Sequence, residues 1–301
     1  MTVLNTSYPC RNLSSGEDHL DGQGFKILYA LIGLTCAFGL VGNGIVTLIL
    51  SIYIKRNSFT TYILNLAIAD FCSVLIVLVE LIISWPKPFL RETTVTFAYF
   101  AFTHNTGLYL LTLISIERCV SVFLPVWYRC HRSSYASAVQ ASLLWVLSGL
   151  FSGMMLLFHF LQLRNCFVNI VFAASILNTL LFTPVMMVST FILLIKTCHN
   201  SRLHLPARAY TAIVVTLFFI IIFDTPLNML TTIRYGLCDC CDTLDSVAPV
   251  VVLLASFNSS MNPVTYYLAG RDSKDYFRRT LKGALERLFK EEAAAEVEGT
   301  G

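Results

Sequence analysis

Charged residues are scarce in this sequence. Asp, Glu, Lys and Arg together make up 13% of its 301 residues, whereas hydrophobic residues make up 56%. A soluble domain needs a large polar surface and shows short periodic apolar stripes, but here the apolar residues form long blocks. The composition therefore excludes an ordinary water-soluble protein and indicates a chain that is surrounded by lipid.

Other features are also missing. Residues 1–24 are polar and lack the apolar core of a cleavable signal peptide, so we expect the first apolar block to direct membrane insertion. Membrane β-barrel strands are segments of about ten residues with alternating polarity. Residues 144–161 and 211–223 are instead almost continuously apolar, which excludes a barrel. The sequence contains no internal repeat or low-complexity tract, and we expect a single domain.

Seven apolar blocks are long enough to cross a membrane as helices. A span needs about 20 residues, because each residue of a helix adds about 1.5 Å to a path of roughly 30 Å. The blocks predict an all-α membrane protein, a seven-transmembrane helix bundle over residues 25–268, with spans at 25–53, 60–85, 95–122, 136–160, 168–195, 209–232 and 247–268. We expect the flanking regions to be an extracellular tail (1–24), an amphipathic cytoplasmic eighth helix (269–290) and a disordered acidic tail (291–301).

The distribution of basic residues predicts the orientation. Lys and Arg are retained on the cytoplasmic side of membrane proteins. If the N-terminus is outside, fifteen of the 21 basic residues lie on the inner side. We therefore expect an extracellular N-terminus, a plasma-membrane location and a basic helix that contacts membrane lipid, with no binding of nucleic acid. Asn5 and Asn12 begin glycosylation sequons in the predicted outer tail.

Half of the ten cysteines fall on the predicted outer side. Only these can form disulfides in an oxidising environment, and they are Cys10, Cys166, Cys238, Cys240 and Cys241. We favour a bridge from Cys10 to the 238–241 cluster, with Cys166 as the alternative partner. The outer loop at 161–167 is short, which predicts a wide and shallow mouth between the helices.

Four ionisable residues that lie inside predicted spans, away from the span ends, need an explanation: Asp70, Glu80, His104 and Asp224. Such groups are costly in hydrocarbon and usually face a bundle interior or a hydrated cavity. Three asparagines add neutral polar groups at a similar depth, namely Asn43, Asn258 and Asn262. The last two are four residues apart and share one helix face.

Short motifs occur in all seven spans. Spans one to three carry Gly42-Asn43, Asn-Leu-Ala-Ile-Ala-Asp at 65–70 and Glu117-Arg118-Cys119. Spans four to seven carry Trp145, Pro184, Pro226 and Asn-Pro-Val-Thr-Tyr at 262–266. With these residues the chain resembles a rhodopsin-like (class A) G-protein-coupled receptor, and residues 105–119 and 127–132 resemble the Mas-related receptor subfamily.

The resemblance implies a receptor that activates a heterotrimeric G protein when span six moves. It assigns coupling and activation to Glu117, Arg118, Pro125, Arg208, Asn262, Pro263 and Tyr266. Arg118 would hold the ends of spans three and six together at rest, with Glu117 as its local partner. Asp70 would form a central polar network with Asn43, Asn258 and Asn262 and hold a sodium ion or a proton. Gly107 replaces a serine ligand of many relatives, so a protonated Asp70 is the alternative to sodium.

Three positions depart from the family pattern. Thr93 replaces the cysteine that bridges to the second outer loop, Asp224 replaces the tryptophan of span six, and Phe100 replaces the aspartate that amine receptors use. The expected ligand pocket comprises Glu80, Phe97, Phe100, Ala101, His104, Asp224 and Asn228. Its acids predict a cationic peptide or amine ligand. We also hypothesise a pH-sensitive pair of His104 and Asp224; the alternative is that each contacts water or backbone separately.

Two other function classes compete with a receptor. A secondary transporter could use Asp70, Glu80 and Asp224 along a polar path, but transporters generally show paired halves or broken helices. An intramembrane hydrolase needs a convergent nucleophile and base or a metal cluster, whereas the histidines here are scattered over different depths. We therefore predict no enzyme activity and no cofactor other than the sodium ion named above.

Overall fold

The structure, a computed structural model, describes residues 18–54, 57–83, 94–124, 126, 128, 135–199, 215, 222–223, 225–236 and 242–270. These residues form seven helices and no strand. The helices are α1 (Asp18–Ile52), α2 (Ser58–Ile83), α3 (Thr94–Phe123), α4 (Ala136–Phe160), α5, α6 (Thr225–Gly236) and α7 (Asp242–Gly270). Helix α5 has three consecutive parts: an α-helix (Arg164–Leu177), a π-helix (Asn178–Phe182) and a second α-helix (Thr183–His199).

The all-α expectation is confirmed for this part of the chain, and within it α1 to α5 are each long and apolar enough to cross a membrane. Helix α4 coincides with the predicted fourth span. Helix α1 begins at Asp18, inside the predicted tail, and α5 begins at Arg164, before the predicted position 168. The predicted eighth helix and acidic tail lie outside the described residues, apart from the last two residues of α7.

Packing places α3 among α2, α4 and α5, while α7 packs against α1, α2 and α6. The largest buried apolar cluster draws residues from every helix except α6 and includes Leu50, Tyr62, Leu110 and Tyr266. Large apolar side chains also cover the outside of the bundle; Leu34 is 69% exposed and Leu180 is 71% exposed. An apolar surface of this extent is the surface that lipid requires.

Small residues allow α1 and α7 to approach closely. A Cβ built on Gly39 would lie 3.1 Å from Ser260 Cβ, and one built on Gly42 would lie 3.1 Å from Pro263 Cγ. Real Cβ atoms rarely come this near to a neighbour, so a larger residue at either position would force α1 or α7 to shift. The contact is completed by the Ser260 hydroxyl, which donates to the Thr35 carbonyl oxygen at 3.0 Å.

A loop of three residues joins α4 to α5. Gln162, at its centre, has a φ of 56°, which is the left-handed region that non-glycine residues seldom adopt. Backbone hydrogen bonds close the loop onto the end of α4: Gln162 N donates to His159 O at 3.0 Å and Leu163 N donates to Phe158 O at 2.9 Å. The connection is therefore short and internally hydrogen-bonded.

The π-helix in α5 precedes Pro184, which has no N–H to donate to the carbonyl four residues earlier. The Thr183 N–H instead donates to Asn178 O, five residues back. The widened turn packs against α3, where the rings of Tyr109 and Phe182 stack with their centroids 4.0 Å apart. Asn178, the first residue of the π-helix, is buried in the bundle interior.

Candidate functional site

Glu117 and Arg118 lie near the C-terminal end of α3, which we call the Arg118 end of the bundle. The Arg118 guanidinium carbon is 3.8 Å from the centroid of the Phe59 ring. The Tyr62 hydroxyl is 3.1 Å from Glu117 Oε1 and donates to it. Phe59 and Tyr62 are three residues apart and share one face of α2. Two aromatic residues on adjacent turns of α2 therefore contact two consecutive ionisable residues of α3.

The Glu117 carboxylate has a second tyrosine partner. Tyr128, in the segment after α3, donates from its hydroxyl to Glu117 Oε2 at 2.7 Å. The Tyr62 hydroxyl also contacts the side-chain oxygen of Gln140 on α4. A hydroxyl carries one proton and a carboxylate only accepts, so Tyr62 can serve one of the two oxygens at a time. Glu117 thus connects α3 to α2 and to the segment that follows α3.

The first turn of α2 is fixed by a reciprocal cap. Thr60 N donates to Asn57 Oδ1 at 2.7 Å, and Asn57 N donates to Thr60 Oγ1 at 2.8 Å. Such a pair satisfies two backbone donors that the start of a helix otherwise leaves open. Phe59 lies between the two capping residues, so its backbone position is set by local hydrogen bonds.

Helix α5 supports the same end of α3. Lys196 donates from Nζ to Val122 O at 2.9 Å and lies 3.8 Å from the centroid of the Phe123 ring. A cation at the C-terminal end of a helix interacts favourably with the partial negative charge there. Cys119 adds a contact from its thiol to Ser189 O at 2.9 Å. These contacts fix the position from which Arg118 projects.

A central polar network links α1, α2 and α7. Asn262 donates from Nδ2 to Asp70 Oδ2 at 2.7 Å, and Asn43 donates from Nδ2 to Ser259 O at 3.0 Å. Asp70 is 5% exposed, Asn262 4% and Asn43 0%. Asn258, one turn before Asn262, is also buried. The structure thus brings together Asp70 and Asn262, and places the two other predicted members of this network on α1 (Asn43) and one turn away on α7 (Asn258).

The residues around Asp70 offer few ligands for a sodium ion. Gly107 faces the carboxylate, since a Cβ built there would lie 3.7 Å from Asp70 Oδ1, but glycine supplies no side-chain oxygen. The other carboxylate oxygen already accepts from Asn262. Hard cations need several oxygen ligands. The sodium ion stays a prediction, for which Asp70, Asn258 and Asn262 would supply the ligands.

Replacing Asp70 with leucine will lower the melting temperature of the purified protein by a few degrees, because the Asn262 amide then loses its buried acceptor. Asp70→Asn is the matched control, since its side-chain oxygen can still accept. We expect that variant to melt close to the unmodified protein in a fluorescence-detected thermal assay. Equal melting temperatures for both variants would mean that the hydrogen bond does not stabilise the bundle.

The other predicted coupling residues are partly described. Pro263 lies inside α7 against Gly42. Tyr266 is 6% exposed within the large apolar cluster, and its hydroxyl has no hydrogen-bond partner among the described residues. Pro125 and Arg208 lie outside the described residues.

The predicted pocket residues fall into separate groups. The rings of Phe100 and His104 stack with centroids 5.3 Å apart on α3, and Phe100 packs against a cluster of α1 and α2. Glu80 on α2 is buried. Phe97 and Ala101 instead pack against a cluster formed with α4 and α5. Asp224 lies outside the described residues, so its pairing with His104 stays a prediction.

Asn228, the remaining pocket residue, belongs to an asparagine cluster that sequence reasoning missed. Asn178 donates from Nδ2 to Asn105 Oδ1 at 2.8 Å and to Asn228 Oδ1 at 3.1 Å. This single amide joins α3, α5 and α6, and all three residues are buried. The signal that could have identified Asn105 and Asn178 is the presence of neutral polar residues inside apolar spans.

The modification sites on the predicted outer side are mostly outside the described residues. This holds for Asn5, Asn12, Cys10 and the cysteines at 238–241. Cys166, near the start of α5, is exposed and forms no disulfide with another cysteine of the described part of the chain. The bridge from Cys10 to the 238–241 cluster stays a prediction.

Comparison with known proteins gives consistent matches over most of the chain. The family model described as "7 transmembrane receptor (rhodopsin family)" matches residues 42–266. The chain is 37% identical over 296 residues to the proto-oncogene Mas of Homo sapiens, a match that covers 94% of this chain and 88% of that protein. It is 34% identical over 300 residues to Mas-related G-protein coupled receptor member H of Mus musculus, covering 96% and 92%. Member D of Macaca fascicularis is 34% identical over 287 residues, covering 91% and 87%.

Proposed function

Because the chain belongs to the rhodopsin family of seven-transmembrane receptors and is similar to Mas and the Mas-related receptors, we propose that it converts binding of an extracellular ligand into activation of a heterotrimeric G protein. It is a G-protein-coupled receptor of the plasma membrane with a seven-transmembrane fold. The proposal adds the orientation, the role of individual residues and the class of ligand. The Arg118 end faces the cytoplasm, and the N-terminus is extracellular.

The arrangement around Arg118 carries this proposal. Arg118 is half-buried against α2, and the neighbouring Glu117 is held by Tyr62 and Tyr128. A guanidinium carries a permanent charge and a planar fork of donors, which suits it to bind carbonyl oxygens of a docked helix. When span six moves outward, the guanidinium leaves α2 and meets the G protein.

The ligand is a cationic peptide or amine. Support comes from two acids that we assign to the extracellular half of the bundle. Glu80 is buried on α2, and the position of Asp224 is predicted from the sequence alone. The connection between α4 and α5 is only three residues long, which favours a wide entrance for a ligand larger than a small amine. Membrane lipid is the second partner, through the basic residues at 271–290.

Nucleotide exchange tests the proposal directly. The purified protein is placed in lipid nanodiscs with individual G-protein heterotrimers and a panel of basic peptides, and release of fluorescent GDP is followed. We expect at least one peptide to accelerate release from at least one heterotrimer. Empty nanodiscs with the same peptides serve as the control. Proton or solute flux in proteoliposomes, with no exchange for any heterotrimer, would instead support the transporter.

A further inference from the structure

The sequence leaves Arg118 without an acidic partner on the cytoplasmic part of span six. Residues 197–223 contain no Asp or Glu. A salt bridge between Arg118 and this stretch is therefore excluded, although the family resemblance predicts that Arg118 joins spans three and six at rest. Any restraint on Arg118 beyond that of its neighbour Glu117 therefore has to come from another part of the bundle.

The structure places an aromatic ring against the guanidinium. The Arg118 guanidinium carbon lies 3.8 Å from the centroid of the Phe59 ring, well within the distance of about 6 Å at which a cation is attracted to the negative face of a ring. Both residues are half-buried. Removal from water strengthens a cation–π interaction, because less hydration of the cation competes with the ring.

The Phe59 ring is held in place from two directions. Its backbone belongs to the first turn of α2, which the reciprocal bonds between Asn57 and Thr60 fix. Its side chain packs against the large apolar cluster that contains Tyr62, Leu66 and Tyr266. A ring fixed both by backbone and by packing loses little conformational entropy when it receives a cation.

We propose that Phe59 is a positioning residue that holds Arg118 against α2 in the resting receptor by a cation–π interaction and thereby restrains coupling in the absence of ligand. The proposal rests on the proposed function, in which Arg118 meets the G protein. Tyr62, one turn along α2, holds Glu117 in the same way through a hydrogen bond. Activation then requires α3 to separate from α2 at this end, in addition to the movement of span six.

Fluorinated phenylalanines at position 59 test whether the attraction between the Phe59 ring and the Arg118 guanidinium is electrostatic. Successive fluorine atoms weaken the negative face of the ring while its shape changes little. Mono-, di- and trifluorophenylalanine are introduced in the full chain, together with Phe59→Leu and Phe59→Trp. We expect the melting temperature of the unliganded receptor to fall with each added fluorine. The rate of basal nucleotide exchange should rise in the same order, to about five times the rate of the unmodified receptor for the trifluorophenylalanine and Phe59→Leu variants. Phe59→Trp should keep the melting temperature and the basal exchange rate of the unmodified receptor.

A second series in the Arg118→Ala background separates this interaction from packing. Without the cation, fluorination at position 59 should no longer change the melting temperature. The same amino acids at Phe71, a half-buried residue of α2 with no cation contact among the described residues, should have no stepwise effect in either background. Melting temperatures that do not depend on fluorination, or that depend on it equally without Arg118, would overturn the proposal.

The two readouts separate the two proposals. A melting temperature that falls with each added fluorine, while basal exchange stays unchanged, would overturn the restraining role of Phe59. Absence of exchange in every form, including the unmodified chain with the basic peptides, would overturn the proposed function itself. A stepwise change in both readouts, with the melting-temperature steps abolished by Arg118→Ala, supports both.

Discussion

Arg118→Ala will lower peptide-stimulated recruitment of the G protein by about 30-fold or more, because the variant removes a charged group that would be buried in the interface. Arg118→Lys keeps the charge but not the planar fork, so we expect an intermediate loss. Recruitment of a tagged Gα subunit to the receptor in cells measures the effect, with surface expression determined in parallel.

Arg164→Ala is the matched control for this loss. Arg164 is an exposed arginine at the first residue of α5, at the opposite end of the bundle. Its removal should leave recruitment unchanged. If Arg118→Ala recruits as well as Arg164→Ala at equal surface expression, the assignment of the coupling residue is wrong.

Gly39→Val will lower the melting temperature of the receptor by about 5 °C or more and reduce its surface expression. A side chain at position 39 meets the backbone of Ser260, since the added Cβ would lie 3.3 Å from Ser260 Cα. Backbone cannot rotate away as a flexible side chain can. Helix α1 must shift, which also weakens the hydrogen bonds from Ser260 to Thr35 O and from Asn43 to Ser259 O.

Gly153→Val controls for the loss of glycine itself. Gly153 is exposed on α4, and a Cβ built there has no heavy atom within 4 Å. The added methyl groups then face lipid and should leave the melting temperature unchanged. Equal destabilisation by both variants would show that the close contact of α1 with α7 does not limit stability.

Hydropathy predicted the bounds of a helix correctly where the whole helix is apolar. Helix α4 matches the predicted span because Ala136–Phe160 is apolar almost throughout. Helix α5 begins four residues before its predicted span, and α1 extends back to Asp18, because their first turns are polar and only the apolar part of a helix gives a hydropathy signal. The π-helix in α5 also left no signal, since it changes the hydrogen-bond register rather than the polarity.

The candidate site was predictable only in part. The contact of Asp70 with Asn262 was expected, because both residues lie in recognisable motifs. Phe59 and Tyr62 could not be identified in the same way, because a single sequence does not show which residues of α2 lie beside Glu117 and Arg118. An aromatic residue in an apolar span is usually interpreted as packing, and here it contacts a charged group.

The three-residue connection between α4 and α5 limits how the bundle can rearrange. A linker of this length, closed by hydrogen bonds around Gln162, has no slack that would let one helix slide along the other. The joined ends of α4 and α5 must therefore move together. A shift of α5 at this end also moves the exposed apolar end of α4, so that the thickness and lateral pressure of the surrounding bilayer bear on the conformational equilibrium of the receptor.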